Sequence, residues 1–237
     1  MKFLFVIFSI VFILSGCSSL ELEAVPSSEQ ETQRILALGL THEENLVEAK
    51  KLGTPHMIAV VTLQLKNARE EKIQAEIDLV DSNKYADKVI ILEEGVKFIS
   101  SEISENLKNG VLDTDVDKVT YSIEGAKDLN SKLMSHQLNL SLTYNSKNKR
   151  NYNSVKFCDK WNNCDELTQK INVISVNASN CKNNSCVYKE IISLELTDTF
   201  LRDSIKKGFS MRLMSKKKTN SIKIPKAYLM GYLKVAK

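Results

Sequence analysis

Carboxylates supply the sharpest chemical pattern in the chain. Asp113, Asp115, Asp117 and Glu124 occupy positions 1, 3, 5 and 12 of one window, the acidic register of a helix-loop-helix calcium loop. Two positions depart from it: Lys118 stands where the loop needs glycine for its sharp turn, and Thr120 replaces the usual aliphatic residue. The following residues 119–123 alternate like a strand, so the plainer expectation is an acidic loop entering a strand. Any calcium affinity would be weak. Gly208, Phe209, Ser210, Met211 and Arg212 begin like a nucleophile elbow but lack its closing glycine. His42, His56 and His136 are dispersed and share no metal-ligand spacing, so each reads as a cap or surface residue unless folding brings it to a partner. Glu190 shares strand parity with Tyr188, Ile192, Leu194 and Leu196, which would aim its carboxylate at an apolar face. A buried carboxylate needs a partner and marks a functional candidate; the competing expectation is a strand end, a bulge or a charge guarding an edge. No phosphate-cradling glycine loop or dinucleotide fingerprint occurs, and no cofactor is expected.

Cysteine chemistry begins at the N-terminus. Lys2 precedes an apolar run over residues 3–14, shorter than the roughly 17 to 25 residues of a spanning helix. Leu14, Ser15, Gly16 and Cys17 follow, and this quartet resembles the lipobox of bacterial lipoproteins. The resemblance covers only the first 17 residues. It implies cleavage after Gly16, a diacylglycerol on the Cys17 sulfur, and usually a further fatty chain such as palmitate on the new amino terminus. Each buried CH₂ contributes about 0.8 kcal/mol, so several chains anchor stably where one binds marginally. Ser18 after the cysteine resembles the sorting pattern for the outer membrane of a two-membrane envelope, with the domain facing the periplasm.

Setting Cys17 aside leaves Cys158, Cys164, Cys181 and Cys186. An even number in an exported, oxidising compartment argues for two disulfides. Local pairs, Cys158 with Cys164 and Cys181 with Cys186, are preferred; crossed bridges between the two loops are the alternative. Neither spacing suits a zinc knuckle, and no histidine lies nearby.

The chain has 33 Lys+Arg against 29 Asp+Glu, a net charge of +4. That near balance hides an acidic front, with seven Glu against three Lys+Arg in residues 18–55, and a basic back, with eleven Lys+Arg against two Asp in residues 197–237. Lys216, Lys217 and Lys218 form one basic turn, and Lys147, Lys149 and Arg150 a second. Both suit an anionic head group, an envelope phosphate or an acidic partner, and equally suit turns kept soluble by lysine. An exported address disfavours nucleic acid.

These residues need a scaffold. Residues 1–16 read as signal peptide, 17–33 as a lipidated flexible tether and 34–56 as a helical segment, in which Thr41 and Glu44 form a capping box. From residue 57 to 237 a β-rich domain is expected. Alternation at residues 58–65 and 73–79, separated by a charged stretch, predicts a hairpin. Further strands are expected at 89–92, 119–123 and 137–144, the last with a partner ending near Cys158, and then at about 170–177, 187–196, 209–215 and 221–224. Residues 197–207 have helical spacing ended by Gly208, and residues 225–235 fit either a helix or a strand. The fold class is mainly β: an antiparallel, sandwich-like domain with a short helical N-terminal segment and one or two small helices. The repeat of strand, charged turn and strand at 58–79 and 137–158 allows two β subdomains, about 57–130 and 131–237. A lipid-anchored envelope protein with a non-enzymatic binding or structural role is the leading expectation; an envelope hydrolase or wall-modifying enzyme, assembled only in three dimensions, is the alternative.

Overall fold

A computed structural model describes residues 26–107, 117–159, 163–216 and 218–237. The lipobox, Asp113, Asp115 and Lys217 lie outside the described residues. The chain divides into two compact units, with the boundary between Glu70 and Glu71.

The first unit is helical. Helix α1, Ser28–Leu36, opens on a capping box between Ser27 and Gln30, and α2, His42–Ala49, on the one expected between Thr41 and Glu44. Each box satisfies backbone N–H groups that a helix start otherwise leaves unpaired. Helix α1 corrects the expected tether, because residues 28–33 are helical.

Helix α3, Pro55–Ala86, is a larger correction: 32 residues of unbroken helix replace the expected hairpin and the strands at 58–65 and 73–79. Thr54 Oγ1 accepts from the Met57 N–H at 3.2 Å, and Pro55 follows in the first helical position, where its missing N–H costs nothing. Residues 56–86 then contain no glycine or proline, and after Asn67 the charged stretch taken for a turn is Ala68, Arg69, Glu70, Glu71 and Lys72, all strong helix formers. The apolar alternation was incomplete, since Ile58 and Val60 break it. The spacing that matters is four: Met57, Val61 and Leu65 pack with Ile35 and Ala49. Residues 69–77 are all exposed.

The second unit is an antiparallel, sandwich-like, mainly β domain. Its chain order is β1 (Ile90–Leu92), β2 (Lys97–Ile99), β3 (Ile103–Leu107), β4 (Asp117–Lys127), β5 (Met134–Ser146), β6 (Ser154–Cys158), β7 (Gln169–Lys170), β8 (Asn172–Lys182), β9 (Ser185–Thr197), α4 (Asp198–Ser204), β10 (Phe209–Met214), β11 (Thr219–Ile224) and α5 (Lys226–Val235). One sheet has seven strands, running β1-β2-β4-β5-β9-β8 with β3 beside β4; the other has four, running β11-β10-β6-β7. The period of two selects the inner faces. Val119, Tyr121 and Ile123 on β4, Leu138, Leu140 and Leu142 on β5, and Ile192, Leu194 and Leu196 on β9 share one core with Val155, Phe157, Met211, Leu213, Ile222 and Ile224 of the smaller sheet. Full burial of each large side chain contributes about 1.5–3 kcal/mol.

Two expectations about pairing are corrected. Strand β5 pairs with β4 and β9, whereas the segment ending at Cys158 crosses to the other sheet and pairs with β10 and β7. The two β subdomains also fall away: residues 58–79 are helical, and β4 and β5, assigned to different halves, pair continuously from Lys118 with Thr143 to Lys127 with Met134 over one core. Helix α4 ends at Ser204, earlier than expected, and the turn after it closes on Gly208, whose N–H donates to the Ser204 carbonyl at 2.8 Å and whose φ of +71° and close approach to the Ile224 carbonyl leave no room for a side chain. Helix α5 resolves the ambiguity at residues 225–235 in favour of a helix, with Tyr228, Leu229, Tyr232 and Leu233 buried.

Candidate functional site

The crossover from β5 to β6 brings the chemistry together. Residues 147–149 of this loop are exposed, but Arg150 turns inward and is 7% exposed. Its guanidinium donates to both Asp117 oxygens, at 2.5 and 2.9 Å, and its carbon lies 4.0 Å from the centre of the Tyr144 ring. It also donates to the Tyr152 hydroxyl at 3.1 Å; that hydroxyl donates to Asn220, whose amide returns to Asp117 at 3.1 Å. Burial opposes the Arg150 charge, but the hydrogen bonds to Asp117 and Tyr152 outweigh it and raise its pKa. Lys218 Nζ adds a longer contact to Asp117 at 3.8 Å.

Glu190 completes this cluster. Its carboxylate is 0% exposed and accepts from the Tyr144 hydroxyl and from three consecutive backbone amides: Arg150 at 3.2 Å, Asn151 at 3.3 Å and Tyr152 at 3.4 Å. The sequence parity that aimed Glu190 inward is therefore real, and the edge, bulge or strand-end alternative is not. Its partner is a folded loop rather than the Arg or Lys side chain that a buried carboxylate usually suggests. Burial raises the pKa of the Tyr144 and Tyr152 hydroxyls, Tyr152 to about 12, so both remain protonated donors near neutrality.

The two described members of the calcium register do not converge. Asp117 is spent on Arg150 and Asn220, while Glu124, seven residues along β4, has opposite parity, lies on the other face and pairs with Lys97 at 3.7 Å. One ion cannot reach both from the two faces of a sheet. Among the described residues, no group of three or more His, Cys, Asp or Glu has a metal-holding arrangement.

A second buried cluster surrounds His136, which lies within β5 and is 3% exposed. Nδ1 meets the Tyr232 hydroxyl at 2.9 Å and Nε2 meets Asp198 at 3.1 Å, with Arg202 holding Asp198 from outside at 2.7 Å. Gly125 makes this possible, because a Cβ there would collide with the Tyr232 hydroxyl and crowd the imidazole. Burial lowers the His136 pKa despite the Asp198 hydrogen bond. His136 thus corrects the expected surface or cap role. His42 remains in the first turn of α2, while His56 opens α3 instead of a strand. Ser210 lies inside β10 with its neighbour Met211 in the core, so no elbow forms there.

The cysteines pair locally. The Cys158 and Cys164 sulfurs are at bonding distance, with Cα atoms 3.8 Å apart, as are those of Cys181 and Cys186, with Cα atoms 4.0 Å apart. The second bridge staples the β8–β9 hairpin around Asn183 and Asn184, both at positive φ as a two-residue turn requires.

Register then gathers the basic groups. Asn153 N–H donates to the Met214 carbonyl at 3.1 Å, setting the 147–153 loop beside the β10–β11 turn that carries Lys216 and Lys218. Ser185 bonds Asn145 at 2.6 Å and brings in the stapled hairpin. Lys147, Asn148, Lys182 and the 181–186 bridge line an open concavity of about 460 Å³. Five lysines, at 147, 149, 182, 216 and 218, thus share one end of the domain, over a buried floor made by Asp117, Arg150 and Glu190. No family model matches the chain, and neither the curated proteins nor the solved structures contain a match.

Proposed function

We propose that this protein is a lipid-anchored envelope component that binds an anionic partner through the basic end of its β domain, without catalysing a reaction. The observation that carries the reading is the convergence of two separate basic turns, one with Lys147 and Lys149 and one with Lys216 and Lys218, on one end of the sandwich. The Arg150–Asp117 pair and the amide cradle of Glu190 fix the loop from which Lys147 and Lys149 project. A rigid cationic surface attracts anions without the ordering cost of a flexible one. The residues a hydrolase would recruit, His136 and Glu190, are buried with their polar atoms engaged, which favours binding over the envelope-hydrolase alternative.

Anchoring rests on Leu14, Ser15, Gly16 and Cys17, and two disulfide pairs agree with an oxidising compartment. An outer-membrane position facing the periplasm follows from Ser18 on the same resemblance. No described helix is long and apolar enough to cross a membrane. Replacing Cys17 by Ala should abolish fatty-acid labelling and move the protein from the membrane pellet to the soluble fraction. Full retention of label and membrane binding would refute the anchor.

A further inference from the structure

The four strands of the smaller sheet contain no Asp or Glu, although the whole chain is nearly balanced in charge. Their inner residues form the core, so parity leaves Ser154 and Lys156 on β6, Lys170 on β7, Ser210, Arg212 and Met214 on β10, and Thr219, Ser221 and Lys223 on β11 facing outward. The cations are ordered. Lys156 stands directly opposite Arg212; Lys223 is two residues beyond Ser221, the register partner of Arg212; and Lys170 opposes Ser154, two residues the other way. Taken across the sheet, β7-β6-β10-β11, the four make one diagonal line with one cation per strand. Sheet geometry sets the central pair about 5 Å apart and each outer neighbour about 7–8 Å away.

Like charges directly opposite one another destabilise a strand pair. This fold keeps Lys156 against Arg212 at the centre of the line. Lys156, Lys170 and Lys223 form no ion pair with a described carboxylate, while Arg212 is also engaged within the chain.

We propose that this diagonal is the binding track for a linear anionic polysaccharide of the polyuronate type, lying across the four strands. Such a chain carries one carboxylate per sugar, and the long, flexible side chains of Lys170, Lys156 and Lys223 can each swing to a carboxylate along the line, with Arg212 at its centre. Ser154, Ser210, Ser221 and Thr219 flank the line with hydroxyls that both donate to and accept from sugar hydroxyls. Single-stranded nucleic acid fits less well, because no aromatic side chain occupies an outward position of these strands to stack a base. A bilayer surface fits less well too: Met214 is the one large apolar side chain outward on these strands, and interfacial binding gains from buried apolar area. The track uses none of the lysines of the basic end, so it rests neither on that end nor on the anchor, and a failure of the Cys17→Ala test leaves it standing.

The experiment uses full-length protein in non-ionic detergent and fluorescent oligogalacturonate, with neutral dextran, single-stranded DNA and phosphatidylglycerol vesicles as comparators. Oligogalacturonate should bind, weaken as salt rises, and bind at least about tenfold less tightly to the Lys156→Gln/Lys223→Gln double variant. The Lys156→Arg/Lys223→Arg variant should retain binding. The Gln variant should melt close to the parent, because both substituted side chains point outward from the sheet. Binding no tighter than dextran, or an unchanged affinity in the double variant, would overturn the track. Tighter binding of DNA or vesicles, lost in the same variant, would overturn the assignment to a polysaccharide.

Discussion

Two buried polar clusters sit eight residues apart on β5, one around Tyr144 and Arg150, the other around His136, and they solve different problems. The Arg150 cluster is ionic and spans both sheets: Asp117, Tyr144 and Glu190 come from the larger, and Asn220 from the smaller. It draws a long crossover loop inward and leaves that loop's lysines outside. The His136 cluster centres on a neutral ring and fastens α4 and α5 against the sheet through Asp198 and Tyr232. The first shapes a surface; the second closes the core. A buried charge is tolerated only with a nearly complete set of partners, and the Arg150 cluster supplies one through side chains and three amides. An imidazole avoids the same cost by giving up its proton.

The largest effect should come from breaking the ionic cluster. Arg150→Ala leaves Asp117 buried without its principal counter-charge, and removing one partner of a buried pair costs about 3–5 kcal/mol. Urea unfolding should show that loss with an unchanged slope; a loss below 1 kcal/mol would mean that the loop is not fixed by this pair.

A smaller, pH-dependent effect should mark the His136 cluster. Burial depresses the folded pKa below the ordinary value of 6.5, so the unfolded chain binds a proton at a higher pH than the native protein does. His136 therefore contributes its full stability above about pH 6.5 and loses it as the pH falls through the native value. Melting temperatures should decline from pH 7.5 toward pH 5, and the His136→Gln variant should decline less over the same window. Parallel curves would show that this histidine does not titrate on unfolding.

The difference between the clusters also explains what could be read in advance. Caps and strands with strong local signals were legible: Thr41 with Glu44, the alternation on β5, a helix before Gly208 and the two short cysteine loops. Helix α3 was not, because a block of apolar residues satisfies periods of two and four alike, and only packing by Val61 and Leu65 decides between them. Glu190 was legible as an inward carboxylate, but its partners were not, since backbone amides are present in every sequence and only a fold lines up three of them. The line from Lys170 to Lys223 was hidden for a related reason. Its members lie up to 67 positions apart in sequence (223 − 156), and only strand register sets them side by side.

The central physical claim is that a buried carboxylate pins the basic loop, and hydrogen exchange at the Arg150, Asn151 and Tyr152 amides tests it most directly. In the native protein these three loop amides should exchange as slowly as those in the middle of β5, and in a Glu190→Gln variant they should lose protection while the β5 amides keep theirs. Rapid exchange at all three in the unaltered protein, at rates typical of an exposed loop, would contradict it.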